Sequence, residues 1–421
     1  YLFSNVIFII IIYTYTGKNH WKVHIIMKRI LKHTLILSML TCTLTFSTNT
    51  KASVADTSLN ESTTNEVTTT YNLSETSLSN DTKAVSLPSD KSDYIKSDLS
   101  PLTSKVIVLD PGHCKKHIGA RGYGLKEEDI VLDISKACKN KLDNYGDITV
   151  YTTRTTNNCL STLGLGDCLT ARNRYSKRLN ADFLISLHIN ANENKNKTGA
   201  LMLAAYDSGY NKRIHLQTTS FGKIALKNLH SLGLKKRGFW MRKYKGLHYK
   251  NGSRMDYYSI VRNGVLYNIP SVIIEHGYIT NKSDCKKYFN TVAKRYLLGK
   301  KDADSIISYF GLNKEIISGK FVKDGKDTYY LTGDNNIVTG WVKYSGKWYY
   351  FDTVTGKMKT GFLTVDNRKF YLSPSTGEMC TGWITVKGAK YLATGNGSLV
   401  TNTYFNDGIK TYKFNASGKK M

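Results

Sequence analysis

The chain has 421 residues, 41% of them apolar and 22% charged, enough for two or three domains with ordinary cores and inconsistent with a fibrous protein. Its formal net charge is +28, so it should seek polyanionic surroundings. Its seven cysteines show no Cys-x-x-Cys spacing of the kind that marks a zinc module.

Residues 1–26 lack an initiating Met and precede a plausible one at Met27, so they read as upstream sequence outside the fold. Met27-Lys28-Arg29 opens a basic stretch, 31–46 is an apolar core diluted by Thr and Ser, and Ala52-Ser53-Val54-Ala55 offers small residues for cleavage. That is the layout of a secretory signal peptide over 27–55. The apolar run falls short of the ~18 residues of a spanning helix, so no stable membrane span is expected in the mature chain. Loss of 1–55 removes six Lys/Arg and no Asp/Glu, taking the charge from +28 to +22. For an exported protein the matching polyanion is a wall polymer of the teichoic-acid kind or a membrane surface, and nucleic acid is not expected. Residues 56–104 are rich in Ser, Thr, Asn and Asp without apolar period, and read as a disordered linker.

From Lys105 the pattern alternates. A buried strand at 106–109 precedes a helix carrying Ile130, Ile134, Cys138 and Leu142 at helical spacing, which ends at Asn144-Tyr145-Gly146. A strand at 148–153, a helix at 169–180, strands at 183–187 and 200–205, a long helix at 212–232 and a strand at 272–274 follow. This order predicts an α/β domain over 105–312, with a mostly parallel sheet and helices on both faces. The basic, aromatic segment 235–258 has no clear period, and reads equally as a surface loop near a substrate groove or as a solvated connection.

Three apolar strands end on acid-base or metal-type side chains: His113 after Asp110-Pro111-Gly112, His188 after Leu184-Ile185-Ser186-Leu187, and Glu275 after Val272-Ile273-Ile274. Ligands gather where such strands end, and imidazole or carboxylate is costly to bury alone. A shared metal ion resolves that cost. Glu127, Glu128 and Asp129 all open the first helix, where its dipole favours a carboxylate, and physics alone does not choose among them. Two histidines and one carboxylate leave a fourth zinc position for water. Glu275 can then move a proton, while its neighbour His276 points to the opposite face of the strand. His117, His215, His230 and His248 lack strand-end placement and read as surface or packing residues.

The segments VIVLDPGH (106–113), GLKE (124–127), ADFLISLHINA (181–191) and PSVIIEHGYITN (270–281) resemble, in order and spacing, the motifs of the zinc-dependent N-acetylmuramoyl-L-alanine amidases of the type 3 family. The resemblance implies that His113, Glu127 and His188 bind zinc, that Glu275 is the catalytic acid-base, and that Asn190 helps to hold the peptide stem. It implies hydrolysis of the amide between N-acetylmuramic acid and L-alanine in peptidoglycan. Two positions depart from the family: Cys114 replaces the usual Gly, a thiol that packs or competes for zinc, and His276 replaces a small residue, which leaves open a second proton carrier. Cys159 and Cys168 flank a Gly-rich loop and are compatible with a disulfide or with free thiols.

The last hundred residues repeat. Ser318-Gly319, Thr339-Gly340, Thr360-Gly361, Thr381-Gly382 and Thr401-Asn402 recur at spacings of 21, 21, 21 and 20, which predicts five aromatic hairpins over 318–421 stacked as a solenoid. The unit from Gly340-Trp341 to Trp348-Tyr349-Tyr350-Phe351 resembles a choline-binding repeat, in which rings cage a quaternary ammonium. Trp341, Trp348 and Tyr371 are the candidates for one such cage, with aromatic core packing the commoner use of such residues. Lys369 and Lys390 replace Trp348 in later units, and with fifteen Lys/Arg against seven Asp/Glu in this segment an anionic wall polymer is the alternative ligand. The whole reads as a secreted, wall-associated amidase. A zinc peptidase acting on the stem peptide and a catalytically silent adhesin are the rival readings.

Overall fold

The computed structural model describes residues 7–15, 21–29, 87, 94–161 and 164–421. It divides into two compact units, Tyr1–Asp81 and Thr82–Met421. In the first, strands Ile7–Tyr15 and Trp21–Arg29 pair antiparallel. The expected signal-peptide core at 31–46, its small-residue segment at 52–55 and most of the expected linker lie outside the described residues.

The second unit is built on a six-stranded sheet. Its strands lie in the order Lys236–Trp240, Ala200–Leu203, Ser271–Tyr278, Phe183–Asn190, Lys105–Pro111 and Ile148–Thr152. Every neighbouring pair is parallel except Ala200–Leu203 with Ser271–Tyr278. The central strands read as continuous apolar runs because both faces are covered. Ile107, Leu109, Ile185, Leu187, Val272 and Ile274 join a core with helices Glu127–Leu142, Lys212–His230 and Val292–Phe310. Val106, Val108, Leu184, Leu201 and Ile273 face the other way, onto a cluster that includes Ile260, Val261 and Val265 of helix Ser259–Tyr267. Strand alternation thus divides one chain pattern between two cores.

Segment 235–258 is more ordered than its sequence suggests. Lys236–Trp240 is the sheet's edge strand, and Lys243–His248 pairs with Arg254–Asp256. Its alternation is hidden because an edge strand and an exposed hairpin bury few side chains. The linker reading also ends too late. Tyr94–Lys96 runs parallel to Ile337–Thr339, and Leu99 is buried against Trp341, Trp348 and Phe370. A short polar segment orders here because a neighbouring hairpin supplies the apolar surface that it lacks.

Five hairpins follow: Gly319–Asp324 with Asp327–Thr332, Ile337–Tyr344 with Lys347–Phe351, Gly361–Val365 with Arg368–Leu372, Gly382–Val386 with Ala389–Ala393, and Thr403–Asn406 with Thr411–Phe414. They lie against the α/β domain. Lys343 Nζ donates to the carbonyls of Tyr145 (2.7 Å) and Ile148 (2.6 Å), Trp348 Nε1 donates to Thr149 Oγ1 (2.9 Å), and Tyr151 Oη donates to the Gly395 carbonyl (2.5 Å). The repeats therefore shield the edge strand Ile148–Thr152, whose unpaired side would otherwise be a site for aberrant strand pairing. Among the described residues no helix is long and apolar enough to cross a membrane.

Candidate metal centre

The sheet delivers its strand ends to one place. Glu127 Oε1 lies 3.1 Å from His113 Nε2 and 3.0 Å from His188 Nδ1, and the two imidazole centroids are 4.8 Å apart at 73°. All three donor atoms lie within 4.8 Å of one another. Tetrahedral zinc with nitrogen and oxygen at 2.0–2.1 Å sets its ligands about 3.3 Å apart, so the cluster already has the dimensions of a zinc shell and the right donor types.

The carboxylate is locked. Ile189 N–H donates to Glu127 Oε1 at 3.0 Å and Ala120 N–H to Oε2 at 2.8 Å. Burial raises the Glu127 pKa, but the bonds to His113 and His188 outweigh it and hold the group far below the usual carboxylate range. Burial lowers His188 below the ordinary imidazole value, which favours the neutral ring that a metal needs. The other acids of the helix start are engaged elsewhere. Glu128 forms a two-pronged pair with Arg121 at 2.6 Å for each contact, and Asp129 Oδ1 accepts from Asn157 Nδ2 at 2.5 Å. Of the three acids, Glu127 is the one that lies against both histidines.

His113 stands at φ 62°, an uncommon conformation for a side-chain-bearing residue, and a buried ionic network holds it there. Arg172 pairs with Asp110 at 2.5 Å and also donates to the carbonyls of Pro111 (2.9 Å) and His113 (2.6 Å). Arg154 donates to the carbonyls of Pro111 (2.9 Å), Gly112 (2.7 Å) and Glu128 (2.8 Å). Ser186 and Thr153 hydroxyls donate to Asp110 at 2.7 and 2.5 Å. Neither arginine was singled out from the sequence, since nothing in a Thr-Arg pair or a helical Arg announces that it will cap a loop distant in the chain. Gly112 is required by close approach, because a Cβ there would lie 2.3 Å from His188 Cε1.

Glu275 sits in register with His188 on the neighbouring strand. Its Oε2 is buried without a hydrogen-bond partner, and burial together with the Glu127 charge raises its pKa well above the usual carboxylate value. Tyr258, from the segment first read as a loop, is raised by burial and then, against the opposing Arg242, by the Glu275 charge; that segment borders the site. His276 faces away, with Nε2 2.9 Å from Asp302 and Nδ1 3.1 Å from the His188 carbonyl. It braces the strand from behind. Asn190 ends the His188 strand two residues on, so it shares the His188 face, and its Oδ1 accepts from Ala191 N–H at 2.8 Å.

The expected aromatic cage is not assembled as read. Trp341 and Trp348 are 3% and 2% exposed and pack with Leu99, Phe370 and Leu372, whereas Tyr371 joins a different cluster. Phe370 and Tyr371 are consecutive in a strand and so face opposite sides. The hairpin register places Lys369 and Lys390 where Trp348 stands, as the repeat spacing implies. It also reveals another equivalent set: Trp341, Phe362 and Trp383 lie opposite Tyr350, Tyr371 and Leu392, and each meets a ring of the following unit, Phe370, Tyr391 or Tyr412. The first of these junctions is buried. In the third, the Lys420 ammonium lies 5.8 Å from the Trp383 ring and 5.2 Å from Tyr412. The second is open: Phe362 is 52% exposed, with Tyr371 and Tyr391 at 4.9 and 5.1 Å.

Comparisons with known proteins agree with this layout. Residues 107–308 match the family described as N-acetylmuramoyl-L-alanine amidase, and residues 338–381 match the choline-binding repeat. The chain is 28% identical over 198 residues to the N-acetylmuramoyl-L-alanine amidase LytC of Bacillus subtilis, an alignment covering 46% of this chain and 34% of that protein. It is 29% identical over 214 residues to the probable cell wall amidase LytH of Staphylococcus aureus, covering 50% and 60%. The matched region thus spans less than two thirds of either relative. Among solved structures, an N-acetylmuramoyl-L-alanine amidase from Clostridium difficile 630 aligns with 50% of this chain and 98% of its own at 22% identity, with a TM-score of 0.39.

Proposed function

We propose, from a chain that carries an N-acetylmuramoyl-L-alanine amidase domain at 107–308 and a choline-binding repeat at 338–381, that the protein is an exported, zinc-dependent hydrolase of the bond between N-acetylmuramic acid and L-alanine. The observation that carries this reading is the convergence of His113, Glu127 and His188 beside an unpartnered, buried Glu275 oxygen. A zinc ion bound there supplies a Lewis acid that polarises the amide carbonyl and acidifies a water. His113 and His188 would hold the ion through ring nitrogens, and Glu127 would contribute the carboxylate of the ligand set. Glu275 takes the proton of the attacking water and returns it to the departing L-alanine amine, the role that its raised pKa suits. Asn190, on the same face as His188, is placed to hold the peptide stem.

The repeats keep the enzyme on the wall. The open junction of Phe362, Tyr371 and Tyr391 offers ring faces to a choline-type ammonium on a wall polymer, and the excess of Lys/Arg over Asp/Glu across 318–421 suits the polymer's phosphates. A chain held on its substrate works at high effective concentration, so modest affinity per junction suffices.

The test is dye release from purified walls, with mass analysis of the fragments. Glu275→Gln should lower the rate by about 10²–10⁴-fold, and a chelator should abolish lysis until zinc is restored. Fragments cut within the stem peptide, instead of a free L-alanine amine on an intact stem, would replace this reading with a peptidase.

A further inference from the structure

A second group of metal-type side chains lies beside the first and is untouched by the mechanism above. Cys114, His117, Cys159 and Cys168 bring one donor atom each to within 4.8 Å of one another. The sequence does not group them, for the spacing is Cys-x2-His in one loop and Cys-x8-Cys in another, with Cys159 and Cys168 read as a disulfide or free thiols and His117 as a surface or packing residue. Folding places them together. Cys114 Sγ and Cys159 Sγ are each 3.5 Å from His117 Nδ1, and Cys159 Sγ is 3.4 Å from Cys168 Sγ.

We propose that Cys114, His117, Cys159 and Cys168 form a structural site for a second divalent cation of the zinc type, separate from the catalytic centre. The dimensions agree. Zinc with Zn–S about 2.3 Å and Zn–N about 2.0–2.1 Å places tetrahedral sulfurs about 3.8 Å apart and sulfur and nitrogen about 3.6 Å apart, close to the 3.4 and 3.5 Å separations here. A disulfide needs about 2.05 Å, well short of the 3.4 Å between Cys159 Sγ and Cys168 Sγ.

The backbone supports the same conclusion. Cys114 N–H donates to the His117 carbonyl at 3.1 Å, and His117 N–H donates back to Cys114 Sγ at 3.3 Å. This tight knuckle points an amide dipole at the sulfur and aims Nδ1 inward. Arg172 Nη2 lies 3.8 Å from Cys168 Sγ, so the net charge of −1 left by three thiolates and one dication meets a buried guanidinium. Cys114 and Cys168 are buried and His117 and Cys159 are part-exposed, which gives the cation a route in. On binding, each thiol yields its proton to solvent and forms a bond to the metal. No electrons are transferred.

The site would act as a staple. It fastens the loop that begins at His113 and leads to Ala120, whose N–H holds Glu127, to Cys159 and to helix Leu165–Arg178. Metal in this position therefore orders the loop between two ligands of the catalytic ion without touching substrate.

The experiment counts metal in the full chain, purified under reducing conditions, stripped, and reloaded with zinc or cobalt(II). The wild type should bind two equivalents, and its cobalt form should show thiolate-to-cobalt charge transfer together with the intense visible bands of a tetrahedral site. Cys159→Ala with Cys168→Ala should bind one equivalent and lose the thiolate absorption. His113→Ala with His188→Ala should also bind one, but keep that absorption, so the inference remains testable even if the cysteine variant does not fold. A reduced wild type that takes one equivalent without thiolate absorption overturns the proposal, including the case in which Cys159 and Cys168 oxidise to a disulfide. Because the readout is stoichiometry and colour, that failure would leave the amidase reading standing, and inactivity of a chain holding two metals would do the reverse.

Discussion

Asp110 decides where His113 points. It is fully buried, and burial raises its pKa, yet the Arg172 charge and the Thr153 and Ser186 hydroxyls more than offset that and hold it below its ordinary value. Its contribution to stability is therefore complete above the unfolded carboxylate pKa and disappears as pH falls through the lower folded value. Asp110→Asn leaves Arg172 buried without its counter-ion, which should cost about 3–5 kcal/mol. Urea unfolding at neutral pH would measure it, and zinc titration should register weaker binding at the catalytic centre because the 111–113 carbonyls lose their anchor. An unchanged unfolding midpoint would mean that the network is dispensable. The motif residues themselves were legible as a chain pattern, since a strand that stops on an imidazole is unusual. The arginines behind them were not, because a guanidinium that caps carbonyls from another element leaves no local trace. Nor was the approach of His117 to Cys159, which comes from a distant position.

Among the elements, the hairpins repeat a backbone rule but not a function. Every unit follows the same register, yet burial differs at each junction, so equivalent rings are core in one unit and exposed in the next. Trp348→Ala should destabilise the chain by about 3–5 kcal/mol, the usual cost of deleting a buried aromatic ring, and it should do so with or without wall polymer. Phe362→Ala should leave the unfolding transition nearly unchanged but reduce retention on a choline matrix several-fold. If the two variants exchange phenotypes, the open junction has been placed one register position away from the true one. Five hairpins were readable because a period near 21 residues survives any change of side chain. Which rings are exposed was not, because Leu99 and the edge strand Ile148–Thr152 supply the cover from outside the repeat.

Across the whole molecule, the catalytic and repeat regions share an interface. Lys343 is fully buried, and desolvation lowers its ammonium to about 8 from an ordinary 10.5. Below about pH 8 both folded and unfolded chains carry the proton, and the folded chain bears the cost of burying it. Between about 8 and 10.5 the unfolded chain keeps a proton that the folded chain has released, so stability rises with pH. The stability of the wild type relative to Lys343→Met should therefore increase across that range, as read from paired denaturant titrations. A difference that stays flat would show the ammonium to be solvated and the interface open.

Sequence alone determined what depends on order along the chain. Apolar runs ending in histidine or glutamate located an α/β domain, and a fixed period located the hairpins, because strand burial and repeat length are local properties. Tertiary structure alone decided what depends on distance between remote positions. It set Glu127, and not Glu128 or Asp129, against His113 and His188, gathered three cysteines and His117 into one cluster, and set the repeats against the sheet's edge. Such contacts close long loops at little extra entropic cost, so chain separation neither forbids them nor reveals them.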